Sequence, residues 1–421
     1  MHTEKKRNLN AKVRAIAKSV TPYAGESLGE FLMATAKGVT FFVSGEAKSR
    51  YFDLVSELRD YSDWSNKFSS GFMCRLVNEA VAYALLDLED GGDRLEKGDW
   101  LARAESYAIK NTVYLKVEGL ILPDGPQKMG RVEFFDVTEE IQGEILDNVA
   151  SSARKSESTA DNQLSFVQRI GKRFEENFLG NVIAKFSATA DPEHLVYLGQ
   201  IETRRALDVL RFSIPLLYSD PDKVKVGLAG EVNRGLSLAM VSSPYHTLMH
   251  SSVRGRLVPF EFSEANKKKM VAIGAYRISN LLERENQKFT DFEHAILNAV
   301  HWIADAQMQI EHENKFLNYV TAMESLLKPE SYSGIAQTVS EGTALLIGEN
   351  LDERKKIKKD VRNLYTKRSR VSHGDREAVS LGELYRMRDI TYKLLLTLIN
   401  RLDEFAKPSD LRNWLEDRKL S

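Results

Sequence analysis

Residues 351–375 read LDERKKIKKDVRNLYTKRSRVSHGD, and the predicted fold and chemistry depend on this stretch more than on any other. Ile357, Val361 and Leu364 recur at helical spacing, which predicts an amphipathic helix with one apolar face. Arg368 falls within that apolar face. Because a charged group among core residues needs an acidic partner, a ligand or a cleft, Arg368 is the first candidate for a functional side chain.

His373 follows Arg368 by five residues, which places the two side chains about 140° apart on a helix. They therefore do not converge while the helix is continuous. Either the helix ends near Ser372, with Gly374 as its left-handed cap residue, or the pair completes its site with a second copy of the chain. The alternative is a structural ion pair for Arg368 and a histidine placed favourably at a helix C-terminus.

An arginine combined with a histidine suits chemistry on a phosphodiester. The guanidinium is forked and permanently charged, so it binds phosphate oxygens well. Imidazole transfers protons near neutral pH. RNA is the natural substrate for such a site without a metal, because its own 2′-hydroxyl can act as the nucleophile.

Glu324 is a second charged residue on an apolar helix face. Leu317, Val320 and Leu327 share its face at i−7, i−4 and i+3. A half-buried carboxylate needs a cation or several hydrogen-bond donors, and Arg368 is the obvious partner. A packing salt bridge, a direct catalytic role and a role in positioning Arg368 are all open readings of this pair.

The predicted helix is also rich in basic residues. Residues 353–370 contain nine Lys or Arg against two acidic residues, although the net charge of the chain is only −1. This local excess predicts an RNA-binding surface beside the motif, and a solvated helix face is the alternative. The seven predicted RNA-binding side chains are Lys355, Lys356, Lys358, Lys359, Arg362, Lys367 and Arg370.

Three segments resemble the HEPN superfamily, and among its branches they are most similar to the Apea-like one. They are the run FLNYVTAMESLL at 316–327, Leu364-Tyr365, and the run RSRVSHG at 368–374. The resemblance covers roughly residues 264–406. It implies an all-α domain that pairs two-fold and, in many members, cleaves RNA without a metal.

The resemblance also implies roles for individual residues. Arg368 and His373 would be the active pair, and Glu324 would be the acidic residue of the preceding family helix. Two positions depart from common patterns of the superfamily. Ser369 stands where Asn, Asp or His is frequent, and Asp375 stands where one toxin branch has tyrosine.

The length of 421 residues and the mass of 47.7 kDa predict two or three domains. We predict an α+β protein that is mainly helical, with a mixed α/β N-terminal and middle portion followed by an all-α C-terminal HEPN helical bundle. The three predicted parts are a mainly helical region at 1–110, a mixed α+β region at 111–263 that is a candidate sensor, and the HEPN-like helical domain at 264–421.

Periodicity, turn residues and capping boxes predict the elements in more detail. Helices are expected at 45–60, 69–88, 139–149, 192–210, 264–286, 290–328, 333–347, 351–372 and 380–405. Strands are expected at 112–122, 131–137, 181–188, 224–229, 235–241 and 253–262, and a polar linker at 151–161. The helix from 290 exceeds the usual length, so part of it is expected to form a dimer surface. Pro408 is expected to end the packed region.

Several other functions are disfavoured. No apolar run approaches the roughly 18 residues needed to cross a membrane, and the N-terminus lacks the apolar core of a signal peptide. The single cysteine, Cys74, excludes an internal disulfide and fits a reducing cytoplasm. No cofactor or metal is expected. His246 and His250 have zinc-ligand spacing but no intervening glutamate.

Two further patterns receive structural readings. His294, His301 and His312 are too far apart on one helix to hold an ion together and are expected to be polar surface. Gly227 and Gly230 lack the ending of a phosphate-binding loop and are expected to form a turn.

The sequence thus predicts a metal-independent endoribonuclease of cytoplasmic location, which leaves 2′,3′-cyclic phosphate and 5′-hydroxyl ends. A homodimer formed through the C-terminal domain is expected, because a single Arg–His pair supplies too few groups for acid–base cleavage. The resemblance implies a role in phage defence or stress, with the N-terminal part sensing an activating ligand. The first alternative is a HEPN-like dimer that binds RNA or nucleotide through Arg368 and His373 without cleaving it. The second is a purely structural helical dimer whose α+β part senses a ligand.

Overall fold

The protein is mainly helical with additional β-structure, as predicted. It is seen in a computed structural model that describes residues 2–22, 32–61, 64–154, 160–232, 236–242, 247–253, 257–285, 288–327, 334–372 and 379–420. The chain forms two compact units. The first contains Met1–Val113 and Phe186–Gln200, and the second contains Tyr114–Lys185 and Ile201–Ser421. The predicted three-part division stays a prediction.

The elements up to residue 136 are as follows. The helices are α1 (His2–Ala17), α2 (Gly45–Arg59), α3 (Ser70–Asp90), α4 (Arg94–Lys97) and α5 (Trp100–Glu105). The strands are β1 (Thr21–Pro22), β2 (Leu32–Ala36), β3 (Val39–Val43), β4 (Lys110–Glu118), β5 (Leu120–Ile121), β6 (Gln127–Met129) and β7 (Val132–Asp136).

The remaining elements complete the chain. The helices are α6 (Glu139–Arg154), α7 (Ala160–Phe178), α8 (Pro192–Leu217), α9 (Glu264–Ala272), α10 (Ala275–Leu281), α11 (Asp291–Met308), α12 (His312–Leu327), α13 (Ile335–Ile347), α14 (Leu351–Ser372), α15 (Leu381–Ile399) and α16 (Pro408–Leu420). The strands are β8 (Val182–Thr189), β9 (Gly227–Leu228), β10 (Leu236–Ser242), β11 (Thr247–Val253) and β12 (Phe260–Glu261).

The first unit has a core built from its N-terminal helices and a small antiparallel sheet of order β1-β3-β2. The buried residues of this core all lie between Leu9 and Ala104. Trp64, Trp100 and Tyr51 are among the largest fully buried side chains. Large aromatic groups of this kind contribute much of the apolar area removed from water in a small core.

Residues 186–200 join the first unit through polar contacts. Asp191, fully buried, accepts a hydrogen bond from Ser69 N at 2.7 Å, and its own amide donates to Lys67 O at 2.8 Å. Glu193 forms an ion pair of 2.6 Å with Arg75. Asp191 also accepts a hydrogen bond of 3.0 Å from Glu193 N, so it caps α8 as well as anchoring it.

The second unit contains a five-stranded sheet of order β6-β7-β8-β4-β9. Three of its neighbouring pairs run antiparallel, namely β6 with β7, β7 with β8, and β4 with β9. The boundaries between the two units fall within β4, β8 and α8. The described elements beyond residue 264 are helices, and α11, α12, α13, α14, α15 and α16 pack on one another.

Several predicted strands are wrong in detail. The run 112–122 is divided at Gly119, which has a φ of 72° and approaches Lys225 so closely that a Cβ would lie 2.0 Å from Lys225 O. The strands β4 and β7, which follow each other closely in sequence, are separated in the sheet by β8. The run 224–229 forms only the short β9. Of the run 253–262, Val253 ends β11 and residues 260–261 form β12, while residues 254–256 lie outside the described part of the chain.

The predicted linker at 151–161 is also wrong at both ends. Helix α6 extends to Arg154, α7 begins at Ala160, and residues 155–159 lie outside the described part of the chain. Helix α7 was not among the predicted elements. Its apolar side chains recur at helical spacing, with Phe174 buried and Phe178 stacked on it at 5.0 Å.

Two predicted long helices are each two helices. The run 264–286 breaks at Gly274, which has a φ of 81°. The run 290–328 breaks at Gln309, which is extended at ψ 155°, so that α11 and α12 pack on each other. The excess length that predicted a dimer surface is therefore absent. The predicted start at Thr290 is confirmed, because Thr290 and Glu293 form the capping box.

The C-terminal end is packed further than predicted. Helix α15 begins at the predicted capping box of Ser380 and Glu383 but ends at Ile399. Pro408 does not end the packed region, because it opens helix α16. Leu411 and Leu415 of this helix are buried.

Candidate functional site at the end of helix α14

Helix α14 supplies most of the predicted site residues, and it forms as its apolar spacing predicts. Asn350 precedes it and accepts a hydrogen bond from Glu353 N at 3.0 Å through its side-chain oxygen. Ile357, Val361 and Leu364 are buried. The helix packs against α12, α13 and α15, so its apolar face is directed into the bundle.

Arg368 and Glu324 form the ion pair that the sequence predicts. Arg368 Nε on α14 lies 3.7 Å from Glu324 Oε1 on α12. The Glu324 side chain is 18% exposed and the Arg368 side chain 37% exposed, so the pair lies at the edge of the bundle. A carboxylate at this depth is stabilised by a neighbouring cation, and the guanidinium is still accessible to an anion from solvent.

Tyr365 is a third member of this site, and sequence reasoning did not identify it. Its hydroxyl donates a hydrogen bond to Glu324 Oε1, the same oxygen that faces Arg368 Nε. Arg368 Cζ lies 5.9 Å from the centre of the Tyr365 ring. The available signal was the spacing, because residues three apart on a helix lie on the same side.

The protonation of Tyr365 fits a donor role. Burial, together with the hydrogen bond and the charge of Glu324, raises the pKa of Tyr365 well above its ordinary value. The phenol therefore stays protonated at physiological pH and donates to the carboxylate. Glu324 thus contacts Arg368 along the Nε edge. The Arg368 side chain is 37% exposed, so part of the guanidinium is still open to solvent and can bind phosphate oxygens.

The seven predicted RNA-binding residues do not form one surface. Lys358 pairs with Glu341 at 2.9 Å, and Lys367 pairs with Glu383 at 3.2 Å. The Lys367 side chain is only 14% exposed, so this lysine serves the packing of α14 on α15. The remaining five are exposed, and they are Lys355, Lys356, Lys359, Arg362 and Arg370.

The exposed basic residues lie on the opposite side of α14 from Arg368. At about 100° per residue, Lys355, Lys359 and Arg362 fall within an arc of about 60°. Arg368 lies about 150° from the centre of that arc. This arrangement follows from the burial pattern, because Arg368 shares the side of Ile357 and Val361 that enters the bundle.

His373 lies outside the described residues, together with Gly374 and Asp375. The described part of α14 ends at Ser372. The predicted convergence of His373 with Arg368 therefore stays a prediction, as does its completion by a second copy of the chain.

A second cluster of charges links α8 to α11 within the second unit. Arg211 is buried and donates to Val226 O at 2.8 Å, to Asp208 Oδ1 at 3.1 Å and to Glu231 Oε2 at 2.9 Å. The other Asp208 oxygen lies 2.9 Å from His301 Nδ1. His301 is 56% exposed, as expected of polar surface, but its ring is fixed by a buried carboxylate.

The described residues contain no group of three or more His, Cys, Asp or Glu side chains placed to hold a metal ion. His246 lies outside the described residues, and His250 is in strand β11. Cys74 is partly buried against the core of the first unit. No helix in the described part of the chain combines the length and apolar character needed to cross a bilayer.

Comparison with known proteins adds no assignment. No protein-family model, no curated protein and no solved structure matches this chain.

Proposed function

We propose that the C-terminal helices form a metal-independent endoribonuclease of HEPN type that cleaves RNA with Arg368, His373 and Glu324. The observation that carries the proposal is the partly exposed guanidinium of Arg368, which its ion pair with Glu324 holds at the edge of the bundle. A guanidinium held in this way and still partly open to solvent is suited to holding a phosphate. His373 follows in sequence and brings a group that transfers protons near neutral pH.

In the proposed reaction the RNA 2′-oxygen attacks the adjacent phosphorus and the bond from phosphorus to the 5′-oxygen breaks. A histidine accepts the proton of the 2′-hydroxyl, and a protonated histidine donates one to the leaving 5′-oxygen. Arg368 stabilises the charge on the non-bridging oxygens. The products are a 2′,3′-cyclic phosphate and a 5′-hydroxyl.

Glu324 and Tyr365 act in this scheme by positioning Arg368. The carboxylate orients the guanidinium through Nε, and the phenol orients the carboxylate. The two proton transfers require an acid and a base, so we include a homodimer that contributes two histidines. The wider proposal is a cytoplasmic defence or stress enzyme whose N-terminal part responds to an activating ligand.

The test is cleavage of total cellular RNA by purified protein in EDTA. Wild type is expected to cut and to leave cyclic-phosphate ends, and Arg368→Ala and His373→Ala are expected to lose about 10²–10⁴-fold in rate. Arg386→Ala is the matched control, because Arg386 pairs with Asp360 of α14 at 2.5 Å without belonging to the site. Cutting that survives both site substitutions would exclude this site.

The second candidate is a HEPN-like dimer that binds RNA or nucleotide without cleaving it. It is favoured by the separation of the exposed basic residues from Arg368 on opposite sides of α14. This candidate predicts RNA binding by wild type and by Arg368→Ala alike, with intact RNA recovered in both cases.

A further inference from the structure

The solvent side of α14 carries a straight row of positive charge. Lys355, Lys359 and Arg362 recur at i, i+4 and i+7, and all three are exposed. We call these three residues the basic stripe. Among the described residues none of the three has a carboxylate within ion-pair distance, in contrast to Lys358 and Lys367. Their charge is therefore available to an external anion.

The acidic residues near the stripe do not cancel this charge. Asp360 is paired with Arg386 on α15, and Glu353 accepts a hydrogen bond from Glu349 N at the start of the helix. Glu341 is shared by Lys358 and Lys419. Asp352 is exposed near the first turn, where a negative charge interacts favourably with the helix dipole.

The geometry of the stripe matches an extended chain of phosphates better than a compact ligand. From Lys355 to Arg362 the stripe runs about 10 Å along the helix axis. Arg368 lies about 20 Å along the axis from Lys355 and on the other side of the helix. A mononucleotide held at Arg368 does not reach the stripe, whereas an RNA strand of several nucleotides is long enough to span the distance between them.

We propose that the basic stripe binds the phosphate backbone of RNA several nucleotides away from the phosphate that Arg368 holds. This inference rests on the proposed function for the position of the cleaved bond, but the binding itself does not. The stripe contributes affinity for long RNA through its charges, without reading sequence. The substrate class is therefore an RNA strand long enough to contact both sides of α14.

The first test measures binding with a probe that cannot be cleaved, a fluorescent 2′-O-methyl RNA of about 20 nucleotides. Lys355, Lys359 and Arg362 are replaced together by glutamine. The slope of log Kd against log salt is expected to fall by about 2, since each phosphate contact to a single strand contributes about 0.7. Affinity at physiological salt is expected to fall at least about tenfold.

The matched control replaces Lys267, Lys268 and Lys269 of α9 by glutamine, which removes the same charge from a different helix. Its salt slope is expected to stay within about 0.5 of the wild-type slope. An equal loss in both triple variants would overturn the proposal, since only net charge would then matter. Absence of RNA binding by wild type would also overturn it and would leave an acidic protein as the partner of the stripe.

A second measurement separates this inference from the proposed nuclease. The ratio of kcat/KM for a long RNA to that for a dinucleotide is expected to fall at least about tenfold in the stripe variant. If wild type cuts RNA and the stripe variant has the wild-type ratio, the nuclease proposal is supported and the proposed role of the basic stripe is wrong. If wild type does not cut but the stripe variant selectively loses binding of the 2′-O-methyl RNA, RNA binding by the basic stripe is supported and the nuclease proposal is wrong.

Discussion

At the scale of single residues, one oxygen atom organises the candidate site. Glu324 Oε1 accepts the hydroxyl of Tyr365 and faces Nε of Arg368. Hydrogen bonds to a charged acceptor are stronger than neutral ones. Loss of the Tyr365 hydroxyl therefore leaves the Glu324 carboxylate less firmly positioned, and with it the Arg368 guanidinium. Tyr365 is therefore a positioning residue, whereas Arg368 is the group expected to touch the phosphate.

Tyr365→Phe tests this arrangement. We expect the free energy of unfolding to fall by about 1–2 kcal/mol, because the carboxylate loses a donor at a half-buried position. Under the proposed function, cleavage should also fall, with a larger effect on kcat than on KM. Chemical denaturation and steady-state kinetics measure the two effects.

The control is Tyr385→Phe on α15. This ring lies 4.8 Å below the Arg388 guanidinium and is 44% exposed, so its hydroxyl faces solvent. Its loss should change stability by less than about 0.5 kcal/mol. Equal effects at Tyr365 and Tyr385 would contradict the positioning role.

The sequence predicts the Glu324–Arg368 pair because each residue is a charge on an otherwise apolar helix face, and such charges require each other. Tyr365 lies on the same face, but a tyrosine there is compatible with ordinary packing, so its pattern carries no such requirement. The ion pairs of Lys367 with Glu383 and of Lys358 with Glu341 were not predicted either. They depend on which helices pack beside α14, and the sequence pattern does not show this.

At the scale of elements, helix starts are predicted better than helix interruptions. Thr290 and Ser380 are recognisable because each is followed three residues later by a glutamate that completes a capping box. The break at Gln309 has no such signal, since glutamine favours a helix and tertiary packing of α11 on α12 decides the turn. Gly274 is tolerated inside many helices, so it predicts a break only weakly.

The link between α8 and α11 predicts a pH-dependent stability. The hydrogen bond from Asp208 raises the pKa of His301 despite partial burial, with Asp305 adding to the effect and Arg211 opposing it. Because the pKa of His301 is raised in the folded state, the charged interaction with Asp208 contributes its full stabilisation below the pKa of an unfolded histidine, about 6.5. This stabilisation is lost as the pH rises through the pKa of His301 in the folded protein.

His301→Gln should therefore destabilise the protein by about 0.5–1 kcal/mol at pH 6 and by less at pH 9, where the histidine is neutral in both states. The effect is small because half of the side chain faces solvent and the charge is screened. Denaturation curves at the two pH values measure it.

His294→Gln on the same helix is the control. Within the described residues His294 has no carboxylate partner, and it contacts the Phe289 ring at 5.4 Å. Its substitution should change the free energy of unfolding by less than about 0.5 kcal/mol. A pH-independent effect of His301→Gln would show that the link to Asp208 contributes nothing through charge.

At the scale of the whole molecule, contacts cross the predicted border at residue 264. Tyr392 of α15 is buried, donates to Phe212 O at 2.8 Å and stacks on the Phe212 ring at 5.3 Å. Lys315 pairs with Asp222. These residues belong to one compact unit. Sequence periodicity does not predict this, because it shows which face of a helix or strand is apolar but not which other element packs against that face.

A fragment of residues 264–421 tests the importance of these contacts. We expect it to lack a cooperative thermal transition, because it exposes the Tyr392 ring that Phe212 covers and removes Asp222, the partner of Lys315. Circular dichroism during heating measures the transition, with the full chain as the control. A fragment that melts as sharply as the full chain would show that these contacts are dispensable.

The discontinuous first unit has a consequence for the order of events during biosynthesis. Its apolar core uses only residues between Leu9 and Ala104, so that core can form as soon as this part of the chain has left the ribosome. The segment Phe186–Gln200 follows only after an interval on the order of ten seconds at typical elongation rates. Until that segment arrives, Ser69 N and the Arg75 side chain lack the partners that Asp191 and Glu193 supply, so the nascent N-terminal helices leave these polar groups to be hydrated by solvent.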